Sequence, residues 1–163
     1  MASILQVLVV WLLPCSVGAQ VIGGVQIGEG PIQITSQRLE AEHKRQQITF
    51  LGDVVARQKE FAMYSDRLIV FFQEEGKEID KIAVRGNVRI VQGDRRATCE
   101  EATYYHREGK MILEGNPVVR EGDSRITGWR IVYYVDEEKS VVEGKEDERV
   151  TATIIPRERS KSE

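Results

Sequence analysis

The sequence predicts an all-β protein, a half-open β-jellyroll or coiled sandwich built from four tandem repeats of about 29–34 residues. Three observations predict it. A glycine-centred apolar segment recurs along the chain, a second segment built on a small residue recurs beside it, and both alternate apolar and polar residues with the period of a strand. The glycines at 52, 86, 115 and 144 are 34, 29 and 29 residues apart, and the small residues at 36, 65, 99 and 128 are 29, 34 and 29 apart. Both longer intervals share one cause, about five extra residues near Glu74-Glu75-Gly76-Lys77-Glu78.

Composition sets the bounds. A chain of 163 residues with 41% apolar and 30% charged residues is a globular protein of one domain. Lys and Arg total 23 against 26 Asp and Glu, a net charge of -3, so there is no overall basic field to hold nucleic acid. Two cysteines and two histidines exclude a disulfide scaffold and leave little for a metal cage.

From the N-terminus, residues 1–19 read as a cleaved secretory signal. No charge precedes Glu29, and the apolar run from Ile4 to Val17 is shorter than the roughly 20 residues a membrane helix requires. Val17-Gly18-Ala19 supplies the small-residue spacing of a cleavage site. No Lys or Arg stands before the apolar run, and an uncleaved membrane anchor is the alternative. The domain then spans 20–155, with a charged, disordered tail over 156–163. After cleavage Cys99 is the only cysteine left, so no intrachain disulfide can form.

Within the repeats, Phe50, Gly52, Val54 and Ala56 share one face of an extended chain, as do Ile82, Val84, Gly86, Val88 and Ile90, and later Leu113, Gly115 and Val119. Leu68-Val70-Phe72 and Ile131-Tyr133-Val135 alternate likewise in the second segment, taking every other residue. Segments 36–47 and 100–111 have helical propensity, yet they align with these β-branched and aromatic stretches, and the repeat makes them strands. The recurrent glycines and small residues suit corners or bulges, where a strand passes from one sheet to the other. A last strand is expected over 150–155, stopped by Pro156. Each unit leaves an apolar face that only stacking buries, and the stack ends in unpaired edges.

Catalytic chemistry finds no support. His43 and His106 hold aligned places in their repeats and read as rim residues. Paired carboxylates such as Glu100 and Glu101 would point to opposite faces of a strand, poor geometry for acid–base work. Cys99 aligns with Ser36, Ser65 and Gly128, so smallness is what the position keeps, not nucleophilicity. No cofactor is called for.

The apolar-x-apolar-x-Gly-Asp/Asn-Val segments, Phe50-Leu51-Gly52-Asp53-Val54 and Val84-Arg85-Gly86-Asn87-Val88, alternate with Thr35-Ser36-Gln37-Arg38-Leu39-Glu40-Ala41 and Tyr64-Ser65-Asp66-Arg67-Leu68. This pattern resembles the OstA-like superfamily and, within it, the LptA-type proteins, over roughly 32–144. The resemblance implies a V-shaped jellyroll in the periplasm whose interior shelters the acyl chains of lipopolysaccharide (lipid A). It also implies head-to-tail homo-oligomers between an inner-membrane LptC-like partner and an outer-membrane LptD-like translocon.

Parity alone selects the inward residues: Ile34, Leu39, Phe50, Val54, Met63, Leu68, Val70, Phe72, Val84, Val88, Leu113, Ile131, Tyr133 and Val142. These are the candidate lipid-binding residues, and each also suits a plain core position. Arg57, Lys59, Arg89 and Arg120 are rim candidates for lipid phosphates, with a charged outer face as the alternative. Two other readings stay open: a membrane-anchored LptC-like component, and a protein-binding β-module or fragment of the outer-membrane assembly protein that takes no lipid.

Overall fold

The computed structural model describes residues 30–74 and 78–156. The expected signal over 1–19 and the tail beyond Pro156 lie outside the described residues. Twelve strands form one antiparallel sheet. In chain order they are β1 (Gln33–Thr35), β2 (Arg38–Glu42), β3 (Gln47–Gln58), β4 (Phe61–Phe72), β5 (Ile79–Gln92), β6 (Arg95–Tyr105), β7 (Lys110–Glu114), β8 (Val118–Glu121), β9 (Ser124–Thr127), β10 (Arg130–Tyr134), β11 (Lys139–Glu143) and β12 (Thr151–Thr153). Segments 36–47 and 100–111 are largely extended despite their helical propensity, with one 3₁₀ turn at His43–Arg45. The last strand is shorter than the expected 150–155.

Register divides this sheet into two halves. The first half runs across β2, the start of β3, the end of β4, the start of β5, the end of β6, then β7, β10 and β11. The second runs across β1, the end of β3, the start of β4, the end of β5, the start of β6, then β8, β9 and β12. Strands β3 to β6 cross from one half to the other, and the register shifts on them between Leu51 and Val54, Tyr64 and Arg67, and Arg85 and Val88. The line of shifts is a crease that folds one sheet over on itself. Each repeat unit is thus a hairpin of two bent strands, and four hairpins make the half-open jellyroll.

The crease explains the repeated residues. Gly52 and Gly86 have φ of 76° and 79°, and the following Asp53 and Asn87 are left-handed too, at 44° and 49°. Two successive left-handed residues turn the strand without ending it, and only glycine takes the first place without strain. A side chain from the neighbouring strand lies over each glycine: Gln37 on Gly52, Asp66 on Gly86 and Glu100 on Gly115. The same side chain ties the bend. Gln37 Nε2 donates to Asp53 Oδ2 at 2.5 Å, Asn87 Nδ2 to Asp66 Oδ2 at 2.8 Å, and Asn116 Nδ2 to Glu100 Oε1 at 3.2 Å. On the other strand of each hairpin, inward parity slips by one after the small residue, so that Met63 and Ser65 are followed inward by Leu68 and Val70.

One hydrophobic cluster fills the fold, drawing Ala56, Met63, Ile90 and Ala97 from the second half and Leu68, Val70, Val84 and Leu113 from the first. Leu68, Ile90, Val54 and Val88 are fully buried. Burying each such side chain stabilises the fold by about 1.5–3 kcal/mol.

Candidate functional site

The inner face is read most directly from cross-strand partners. Leu39, Phe50, Leu68, Val84, Ala102, Leu113, Ile131 and Val142 stand opposite one another in turn, an apolar row beside the crease that crosses the whole first half. In the second half Ile34, Ala56, Met63, Ile90, Ala97, Val119 and Ile126 form the facing row. Period-two alternation on every strand puts these residues inside, and the crease brings the two rows face to face.

Between the rows the halves do not close. A cavity of about 270 Å³ lies toward the N-terminal end of the stack, walled by Ile34, Ala56 and Met63 on one side and Ile82, Val84 and Tyr104 on the other. Toward the C-terminal end, where Leu113, Ile131 and Tyr133 meet Ile90 and Ala97, only about 20 Å³ remains. Of these two cavities the one toward the N-terminal end is the larger. Its few polar groups lie mainly toward the edge away from the crease. The side chain of Gln58 donates to the Gly30 carbonyl oxygen at 2.7 Å, while its Oε1 has no hydrogen-bond partner among the described residues. Tyr104 meets His106 edge-on at 6.2 Å, and its phenol is held above the usual range by burial and then by Asp136.

Thirteen of the expected inward residues take their places. Val54, Met63, Leu68, Val70, Val84, Val88, Leu113, Ile131 and Tyr133 are buried in the cluster, and Ile34, Phe50, Phe72 and Val142 pack against it. Leu39 shares the inner face by register but is 55% exposed, because among the described residues no strand lies beyond β2. Of the whole set, Ile34, Met63, Leu68 and Val84 line the open cavity. Ile82, which shares the parity of Val84, also lines it, as do Phe61, Ile79 and Tyr104.

For three of the rim candidates the outer-face alternative holds. Arg57, Arg89 and Arg120 sit on the outer face of the second half, since a residue adjacent to an inward one on a strand points outward. Lys59 lies in the turn between β3 and β4, exposed and next to Gln58, which lines the cavity. Arg95 occupies an inward position and pairs with Glu121 at 3.5 Å.

Burial, helped by the Glu100 carboxylate and opposed by backbone hydrogen bonds, pushes the Cys99 thiol from an ordinary 9.0 up to about 12. A neutral thiol is the weaker nucleophile. Cys99 of the folded protein is expected to resist maleimide labelling at about pH 9, where an exposed cysteine is largely thiolate, and to react after unfolding. Rapid labelling without unfolding would show the thiol to be accessible. Among the described residues no group of three His, Cys, Asp or Glu is placed to hold a metal ion, and no helix is long and apolar enough to cross a membrane.

Residues 33–139 match the family described as LptA/(LptD N-terminal domain) LPS transport protein. A search of curated proteins finds no match. Among solved structures, the chain is similar to LptH of Pseudomonas aeruginosa, described as the LptA-homologous periplasmic component of the lipopolysaccharide transport device. The likeness has a TM-score of 0.68 at 16% identity and covers 77% of this chain and 96% of that one, which supports the fold.

Proposed function

This chain belongs to the LptA and LptD N-terminal family of lipopolysaccharide transport proteins, and on that premise we propose that it carries lipopolysaccharide across the periplasm with the acyl chains of lipid A in its groove. It is a transport component and not an enzyme. The observation that carries the reading is the apolar cavity of about 270 Å³ held open between the two halves of one folded sheet. A well-packed core leaves few voids larger than a water molecule. Each acyl CH₂ removed from water contributes about 0.8 kcal/mol, so an open apolar groove along the stack stabilises bound acyl chains without any polar recognition. The sugar and phosphate part would emerge at the mouth, between the turns that join the strands.

The ends of the stack support a bridge of several copies, joined to an LptC-like protein on one side and an LptD-like translocon on the other. Among the described residues, β1 and β2 leave one pair of free edges, β11 and β12 the other. Large exposed hydrophobic residues gather near these ends, with Ile32 and Leu39 at the first and Val150, Ile154 and Ile155 at the second. Free edges flanked by apolar side chains favour strand addition between chains. Native mass spectrometry with added lipopolysaccharide tests both parts. The expected result is bound lipid on each chain and a concentration-dependent ladder of oligomers, and Leu39→Glu is expected to shorten the ladder while leaving lipid bound. A monomer that ignores lipid leaves the protein-binding β-module as the better reading. N-terminal sequencing of the exported protein decides between release at Gln20 and a retained, LptC-like anchor.

A further inference from the structure

The two outer faces of the sheet differ in how their charges are arranged. On the first half, arginines and carboxylates face each other: Arg85 pairs with Glu101 at 3.5 Å, and Arg130 with Glu114 and Glu143 at 3.6 and 3.7 Å. On the second half, the outward strand positions carry Arg57, Arg89, Arg96, Arg120 and Arg125 and no carboxylate. The acidic residues of that half lie elsewhere, with Glu60, Asp94 and Asp123 in turns and Glu121 on the inner face. Arg96 stands directly opposite Arg120, and Arg120 opposite Arg125, so three guanidinium groups line up on adjacent strands. All three are exposed, and among the described residues none has an ion-pair partner. Like charges directly opposite on a sheet destabilise it. The arrangement costs stability unless an anion is bound, in a chain whose net charge is -3.

We propose that this arginine face docks the protein on the surface of an anionic lipid bilayer. The charge spreads across neighbouring strands about 4.8 Å apart, from Arg57 near one edge to Arg125 near the other. That suits many dispersed phosphates better than one small anion. The residues between the arginines are mostly small or β-branched, including Ala62, Val91 and Thr98; the aromatic one, Tyr64, is half-buried with Arg89 stacked 4.3 Å over its ring, and none of the large exposed hydrophobics lies at these positions. A protein partner would need aromatic or apolar anchors at the centre of the contact. A headgroup layer needs only positive charge, and each basic residue near it strengthens binding severalfold. The proposal does not depend on lipid in the groove.

Co-sedimentation of the full chain with vesicles tests it. One set is phosphatidylcholine alone, and the other contains phosphatidylcholine and phosphatidylglycerol in equal parts. The neutral vesicles measure any contribution from the apolar N-terminal segment. Preference for the anionic vesicles is expected, weakening as salt rises. The triple variant Arg96→Gln, Arg120→Gln, Arg125→Gln is expected to lose about a hundredfold in affinity for them. It should melt no lower than wild type, since it relieves repulsion. Removing the same charge from the first half, with Arg38→Gln, Lys44→Gln and Arg45→Gln, should leave vesicle binding unchanged. Equal binding to both vesicle types, or a triple variant that binds as well as wild type, would overturn the proposal. So would binding of polyglutamate through these arginines with the vesicles ignored. Because these vesicles contain no lipopolysaccharide, a failure here leaves the groove reading standing.

Discussion

Ile82→Glu is expected to weaken lipopolysaccharide binding on the order of a hundredfold while the sheet stays folded. Ile82 is half-buried, faces Val70 and Tyr104 across the strands, and lines the open cavity. A carboxylate there stays ionised only by keeping water around it, and the cavity has room for that water. Acyl chains must then give up part of the wall, at about 0.8 kcal/mol for each CH₂ left in water. Losing a few such groups lowers affinity on the order of a hundredfold. A lipopolysaccharide titration measures this, with near-ultraviolet circular dichroism to confirm the native packing. Leu113→Glu should behave differently, since Leu113 is 3% exposed where only about 20 Å³ remains. With room for about one water the charge stays largely unsolvated and unpaired, and the expected outcome is unfolding. Should Ile82→Glu bind lipid as tightly as wild type, the acyl chains do not occupy the cavity.

Gly86→Val is expected to destabilise the domain by about 2–6 kcal/mol, the sum of a disfavoured left-handed backbone and a steric clash. The φ of 79° at Gly86 is one that a β-branched residue takes only under strain, and an added Cβ would collide with the Asp66 carboxylate. Against a typical stability of about 5–15 kcal/mol, a large part of the folded population is at risk. Thermal unfolding measures the loss, with Tm falling on the order of 10 °C. Adding Asp66→Ala should recover the part due to the carboxylate and leave the part due to φ and to the Asp66 Cβ, which lies 2.9 Å from the added atom. An unchanged Tm in Gly86→Val would mean that the crease does not depend on this glycine.

Much of this architecture is legible in the chain because it is local. The bend needs a residue tolerant of positive φ, so glycine recurs at 52, 86 and 115. The other strand of each hairpin needs a small inward residue, so Ser36, Ser65, Cys99 and Gly128 recur in step. Inward parity of the remaining residues then follows from alternation. Two features resist that reading. Glu100 and Glu101 are both exposed, although strict alternation sends them to opposite faces, because Glu100 sits at the bulge opposite Gly86 and Asn87. The difference in volume between the two cavities depends on which side chains from distant repeats meet across them. No local pattern shows that Ala56 and Met63 stay clear of Ile82 while Ile90 and Ala97 close on Leu113 and Ile131. The arginine face has the same origin, since Arg96, Arg120 and Arg125 become neighbours only through the register of β6, β8 and β9.

Site-specific photo-crosslinking in cells tests most directly whether lipopolysaccharide travels inside the fold. A photoreactive side chain replaces Ile82 on the inner face or, for comparison, the exposed Glu101 on the outer face. The predicted result is a lipopolysaccharide adduct at position 82 and none at 101. An adduct at 101 with position 82 unlabelled would contradict it, and would place the lipid on the outside of the sheet.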